Sequence, residues 1–157
     1  MIVFDCDLTL WDHPDVSSLK LPFRLLNEDE AVDSEGEVVR LYKGVREVLR
    51  TLKDSGYILS IASWNKPEPV FQLLDLFKLR GLFTYPQVEP HPDKAKMIRR
   101  LLKRLREDGI EVKPHEVVYV DDRDIHLPKI LEEIGPVRFL RMWRDIKDHE
   151  DLLRLFR

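Results

Sequence analysis

The chain has a single cysteine, Cys6, among 157 residues, so no internal disulfide is open to it. A lone thiol fits a reducing compartment, and the expected location is cytoplasmic. No apolar run approaches the roughly 18 residues of a membrane-spanning helix. The first residues read as a strand, without the basic flank and apolar core of a signal peptide. An excess of one charge is also lacking. With 26 Lys and Arg against 29 Asp and Glu, bulk attraction to nucleic acid or a membrane surface is not expected. The five histidines, His13, His91, His115, His126 and His149, show no ligand spacing, which argues against a zinc site. Glycine is scarce, at 6 residues, and there is no repeat, linker or low-complexity tract, so residues 1–157 are expected to form one domain.

What the chain has in abundance is charge, 35% of its residues, alongside an ordinary 43% hydrophobic content. The basic run Lys94–Arg106 reads as the solvated face of a helix whose buried face is Met97, Ile98, Leu101, Leu102 and Leu105. Strand and helix patterns alternate elsewhere. Strands are expected at Ile2–Phe4, Tyr57–Ala62, Leu82–Tyr85, Val117–Val120 and Val137–Leu140. Helices are expected from Lys43-Gly44 to Gly56, after Pro67, from about Asp93 to Asp108, near Leu127–Ile134 and from Asp148. Ser63-Trp64-Asn65 and the stretch from Pro86 to Pro92 read as loops. Residues 12–40 have poor periodicity and read as a small flap or hairpin insertion, with a turn at Asp33-Ser34-Glu35-Gly36 before Val38–Leu41. This alternation implies an α/β fold, a parallel Rossmann-like sheet with helices on both faces and a minimal cap or none.

In such a sheet ligands bind beyond the carboxyl ends of the strands. The residues expected there are Asp5 and Asp7, Ser63, and Asp121 with Asp122. If the first strand continued, Asp5 and Asp7 would lean the same way, and packing alone gives no reason for two bare carboxylates at its mouth. Four carboxylates without clustered His or Cys suit a hard cation, with Mg²⁺ the usual one where phosphate is the other ligand. Cys6 is not a tyrosine-phosphatase nucleophile, because Asp12 stands where that loop needs an arginine. Trp11 and Trp64 either line a substrate pocket or pack, and Arg123 either meets substrate or balances its acidic neighbours.

Asp-x-Asp-x-Thr after an apolar strand, a strand ending in Ser, a helix-borne Lys and a strand ending in Asp-Asp together resemble the haloacid dehalogenase superfamily. The continuation Leu-Thr-Leu-Trp and the short length make the chain most similar to its small magnesium-dependent phosphatases. The resemblance implies a phosphomonoesterase that works through an aspartyl-phosphate. Asp5 would attack phosphorus, and Asp7 would protonate the leaving oxygen and then activate water. Asp5 and the backbone carbonyl of Asp7 would bind Mg²⁺, with Asp121 the favoured further ligand and Asp122 ligating through water or orienting its neighbours. Ser63, the Trp64 N–H and Asn65 would hold phosphate oxygens, and Thr9 would support the turn. Of Lys94 and Lys96, the preferred phosphate-site lysine is Lys96, beside Met97 and Ile98. The substrate would be a phosphorylated sugar or other small metabolite, or phosphotyrosine. The alternatives are a phosphoprotein phosphatase of the carboxy-terminal-domain type and a non-catalytic, receiver-like phospho-signal domain.

Overall fold

A computed structural model describes residues 1–156. Strand β1 (Ile2–Phe4) lies at the centre of a five-stranded sheet, between β6 (Leu59–Trp64) and β8 (Val118–Asp121). The edges are β7 (Gln87–Glu89) beyond β6 and β9 (Arg138–Arg141) beyond β8, and every pairing is parallel. The chain leaves β1 for one side of the sheet and later returns to fill the other. The carboxyl end of β1 is therefore the switch point where a crevice opens.

Alternation along the central strands sorts the core onto two faces. Ile2, Phe4, Leu59, Ile61, Val118 and Val120 face one cluster, and Val3, Ala62 and Tyr119 face the other. Helices α1 (Val45–Asp54), α2 (Pro67–Leu76) and α5 (Glu150–Leu155) cover the first face with Val48, Leu49, Leu52, Val70, Leu73, Leu74 and Leu152. Helices α3 (Lys94–Glu107) and α4 (Leu127–Glu133) cover the second with Met97, Ile98, Leu101, Leu105 and Ile130.

Residues 11–41 form more than a hairpin. Strands β2 (Trp11–Asp12), β3 (Arg24–Asn27), β4 (Glu30–Val32) and β5 (Val38–Leu41) make a separate antiparallel sheet in the order β2-β5-β4-β3. Strands this short, with β3 exposed along its whole length, leave little alternation to read. The buried Arg46 of α1 docks this sheet. Its guanidinium donates to Asp29 Oδ1 at 2.9 Å and to the carbonyls of Glu28 at 2.8 Å and Phe77 at 3.0 Å.

Three expected elements differ. Leu82–Tyr85 is not a strand, because a 3₁₀ turn occupies Arg80–Leu82 and Tyr85 turns the chain at φ +48. The fifth strand lies instead at Gln87–Glu89, inside the expected loop, and Ser63 and Trp64 are the end of β6 rather than loop residues. Strand β1 is Ile2–Phe4 as expected and does not continue to Asp5, and Leu8 adopts φ +56, so Asp5 and Asp7 do not share a strand face.

Replacing Arg46 with Met would leave the buried Phe77 carbonyl without its partner and release the Glu28 carbonyl and Asp29 carboxylate. The expected cost is about 1–3 kcal/mol, read as a lowered urea midpoint. An unchanged midpoint would contradict this docking role.

Candidate active site

Asp5 follows β1 directly and points to the side of the sheet that Val3 faces, the side covered by α3. Asp121 ends β8 and shares that side with Tyr119. The first turn of α3 lies beneath both. There Lys94, only 1% exposed, donates from Nζ to Asp5 Oδ1 at 2.8 Å and to Asp121 Oδ2 at 2.9 Å. The lysine of the site is therefore Lys94. Lys96 is exposed, because two residues of helix turn a side chain by about 200° and place it among Arg99, Arg100 and Lys103. Lys94 instead continues the buried stripe of Ile98, Leu101 and Leu105 at intervals of four, three and four residues, a spacing visible in the sequence.

Oxygens of Asp5, Asp121 and Asp122 lie within 4.8 Å of one another. Thr9, fully buried, bridges two of them, with its hydroxyl 3.3 Å from Asp5 Oδ2 and 3.5 Å from Asp122 Oδ1. It ties carboxylates together and does not line the cleft. Tyr119 donates its hydroxyl to Asp121 Oδ2, and the backbone N–H of Arg123 donates to Asp121 Oδ1 at 3.1 Å.

Asp7 occupies a different environment. Its Oδ1 accepts from Trp11 Nε1 at 2.8 Å and from the Val16 N–H at 3.4 Å, and its Oδ2 accepts from Asn65 Nδ2 at 3.0 Å. All three donors are uncharged. Asn65 also donates to Ser63 Oγ at 2.9 Å and accepts from the Ser17 hydroxyl. Ser63 is fully buried and turned to Asn65, whereas Trp64 and Asn65 reach the cleft. The cleft measures about 490 Å³, and Asp5, Asp7, Asp122, Trp64, Lys66 and Arg123 are among the residues that line it.

Burial raises Asp5 well above the ordinary carboxylate range, with Asp121 adding to the shift and Lys94 opposing it. Burial and Asp121 also raise Asp122. At Asp121 burial is outweighed by Lys94 and Tyr119, which hold its pKa down to about 2. Burial raises Asp7 against the hydrogen bonds from Trp11 and Asn65. At Lys94 the two carboxylates outweigh burial and raise the ammonium's pKa, so it stays charged. Three carboxylates against one ammonium leave two uncompensated negative charges when all are ionised.

That donor set fits Mg²⁺, being all oxygen, clustered and short by two positive charges. The backbone supports the same fit. From Cys6 to Trp11 every carbonyl except that of Asp7 receives a hydrogen bond from the described residues. Asp5, Asp121 or Asp122, and the Asp7 carbonyl would hold the ion. The Asp7 carboxylate is occupied by its own donors and stands outside the acidic cluster.

Protons and Mg²⁺ compete for Asp5 and Asp122, whose pKa values are raised. Binding is therefore expected to release protons, with affinity that rises with pH. Calorimetry in buffers of different ionisation enthalpy measures this, and a binding heat independent of buffer would contradict it.

The family model described as Acid Phosphatase matches residues 1–131. Human magnesium-dependent phosphatase 1 is 35% identical over 91 residues, which cover 57% of this chain and 52% of that protein. The aligned region thus spans about half the length of that relative. A crystal structure of a predicted phosphoglycolate phosphatase from Haemophilus somnus superposes with a TM-score of 0.66 at 18% identity, over 100% of this chain and 97% of the other. The N-terminal part of a Bacteroides fragilis protein, containing a phosphatase domain complexed with Mg, gives a TM-score of 0.61 at 16% identity, over 99% of this chain and 38% of that one. The structural likeness shows the fold of the haloacid dehalogenase superfamily. With the family match running from β1 through the acidic pair at the end of β8 and into α4, the chain belongs to the acid phosphatase family.

Proposed function

We propose that the protein is a Mg²⁺-dependent phosphomonoesterase that hydrolyses phosphate esters through a phosphorylated Asp5. The observation that carries this reading is the unequal setting of two carboxylates in one cleft. Asp5 is paired with the buried ammonium of Lys94, and Asp7 is held by uncharged donors alone. A carboxylate fixed beside a cation suits attack, and one on the cleft held only by uncharged donors suits proton transfer.

In the first step an Asp5 carboxylate oxygen attacks phosphorus. The bond from phosphorus to the ester oxygen breaks, and that oxygen takes the proton of Asp7. In the second step the ionised Asp7 removes a proton from water as the water attacks phosphorus. The Asp5–phosphorus bond breaks, and inorganic phosphate and free Asp5 remain. Bound Mg²⁺ would neutralise charge on the phosphate oxygens. Lys94 fixes the orientation of Asp5 and stabilises charge at the same point. A carboxylate that gives a proton to the ester oxygen and then takes one from water favours hydrolysis over the long-lived phosphate of a receiver-like domain. The cleft of about 490 Å³ suits a leaving group the size of a sugar or a tyrosyl ring. The substrates we propose are therefore phosphorylated sugars or other small metabolites, or phosphotyrosine.

Asp5→Asn is expected to abolish turnover of p-nitrophenyl phosphate in Mg²⁺ while the circular dichroism spectrum stays native. Near-wild-type turnover would refute the mechanism. Asp7→Asn is expected to lose roughly 10²–10⁴-fold in kcat. The loss should be larger on an alkyl phosphate than on p-nitrophenyl phosphate, whose leaving group needs no proton. Equal losses on both would remove Asp7 from the acid role.

A further inference from the structure

The loop that carries Asp7 is held from a distant part of the chain. The turn after β9 is rooted on the acidic cluster, because the Met142 N–H donates to the Asp121 carbonyl at 2.9 Å. From that turn Trp143 donates its indole N–H to the Leu8 carbonyl at 2.8 Å. Six residues further on, His149 Nε2 meets the Thr9 carbonyl at 2.7 Å. A carbonyl can only accept, so Nε2 carries the hydrogen. His149 is buried, at 4% exposure. Tyr42 joins the two, with its ring edge-on to Trp143 at 4.6 Å and stacked on His149 at 5.7 Å, while its N–H donates to the Leu10 carbonyl at 3.1 Å. Leu8 and Trp143 both adopt left-handed φ, +56 and +71, which non-glycine residues hold only where their surroundings over-determine it.

These contacts take up the carbonyls of Leu8, Thr9 and Leu10 in turn. Among the described residues the Asp7 carbonyl is the one in the loop without such a donor, and the Asp7 carboxylate stays on the cleft side. We propose that Trp143 and His149 are positioning residues that hold the Leu8–Thr9 backbone so that Asp7 presents its carbonyl to the cation and its carboxylate to the leaving group. The proposal rests on the phosphatase reading of Asp7. Both residues lie beyond the 1–131 span of the family match, so they are a device of this chain outside that span.

Trp143→Phe keeps a ring against Tyr42 and removes the N–H. His149→Leu removes a donor, and His149→Gln restores one. Displacing groups that orient a metal or catalytic ligand typically costs about 10–100-fold. Trp143→Phe and His149→Leu are accordingly expected to lower kcat on p-nitrophenyl phosphate by about tenfold or more, with KM little changed. They should also weaken Mg²⁺ binding measured by calorimetry and speed amide hydrogen exchange at Thr9 and Leu10. His149→Gln should recover much of all three. Wild-type kcat, Mg²⁺ affinity and exchange in Trp143→Phe would overturn the proposal, as would losses that follow melting temperature alone. If Trp143→Phe does not fold, the Leu and Gln variants of His149 decide it. A wild-type protein without turnover refutes the phosphatase reading, whereas an active wild type matched by these variants refutes the clamp alone.

Discussion

The ammonium of Lys94 lies between Asp5 and Asp121, out of contact with water, and the site is built around that position. Burying charges is expensive, and removing one partner of such a pair typically costs about 3–5 kcal/mol because the other charges stay buried. The arrangement holds because three separate segments agree on it. Strand β1 ends with Asp5 on the α3 side, strand β8 ends with Asp121 on the same side, and the stripe of α3 that fills this face begins with Lys94. The lysine cancels one of three clustered charges, and the remainder matches a divalent cation.

The antiparallel sheet belongs to the same chemistry. Trp11 begins β2, contacts Phe77 in the core and turns its indole N–H onto Asp7. Ser17, in the turn that follows, donates to Asn65 and accepts from the Lys66 N–H. The segment joining the first motif to α1 thus supplies the uncharged donors that set Asp7 apart from Asp5. One pair of acids two residues apart thus sits in two neighbourhoods, one holding a cation and the other only dipoles.

The central sheet was legible because buried strands such as Val118–Val120 leave continuous apolar runs that stop at turn-forming or acidic residues. The acidic cluster was legible because carboxylates at strand ends have no packing rationale. Lys94 could have been assigned from its place on the stripe of Ile98, Leu101 and Leu105, whereas closeness to Met97 and Ile98 favours the solvent-facing Lys96. The small sheet was obscured by strands of two to four residues. Ser63 followed a different course. Its position at the carboxyl end of the sheet was readable although the strand runs on through it, but its rotation into the interior towards Asn65 depends on neighbours that no local pattern encodes. Trp143 and His149 meet the first motif across separations of 135 and 140 residues, which periodicity does not reach.

The central claim is that Asp5 itself carries the phosphoryl group during turnover. Rapid quenching of the protein with a phosphomonoester and Mg²⁺, followed by borohydride reduction and peptide mass spectrometry, tests it directly. An acyl phosphate at Asp5 would be reduced to homoserine at that position alone, with no such product from Asp5→Asn. Reduction at another carboxylate, or steady turnover with Asp5 unmodified at every quench time, would contradict the account.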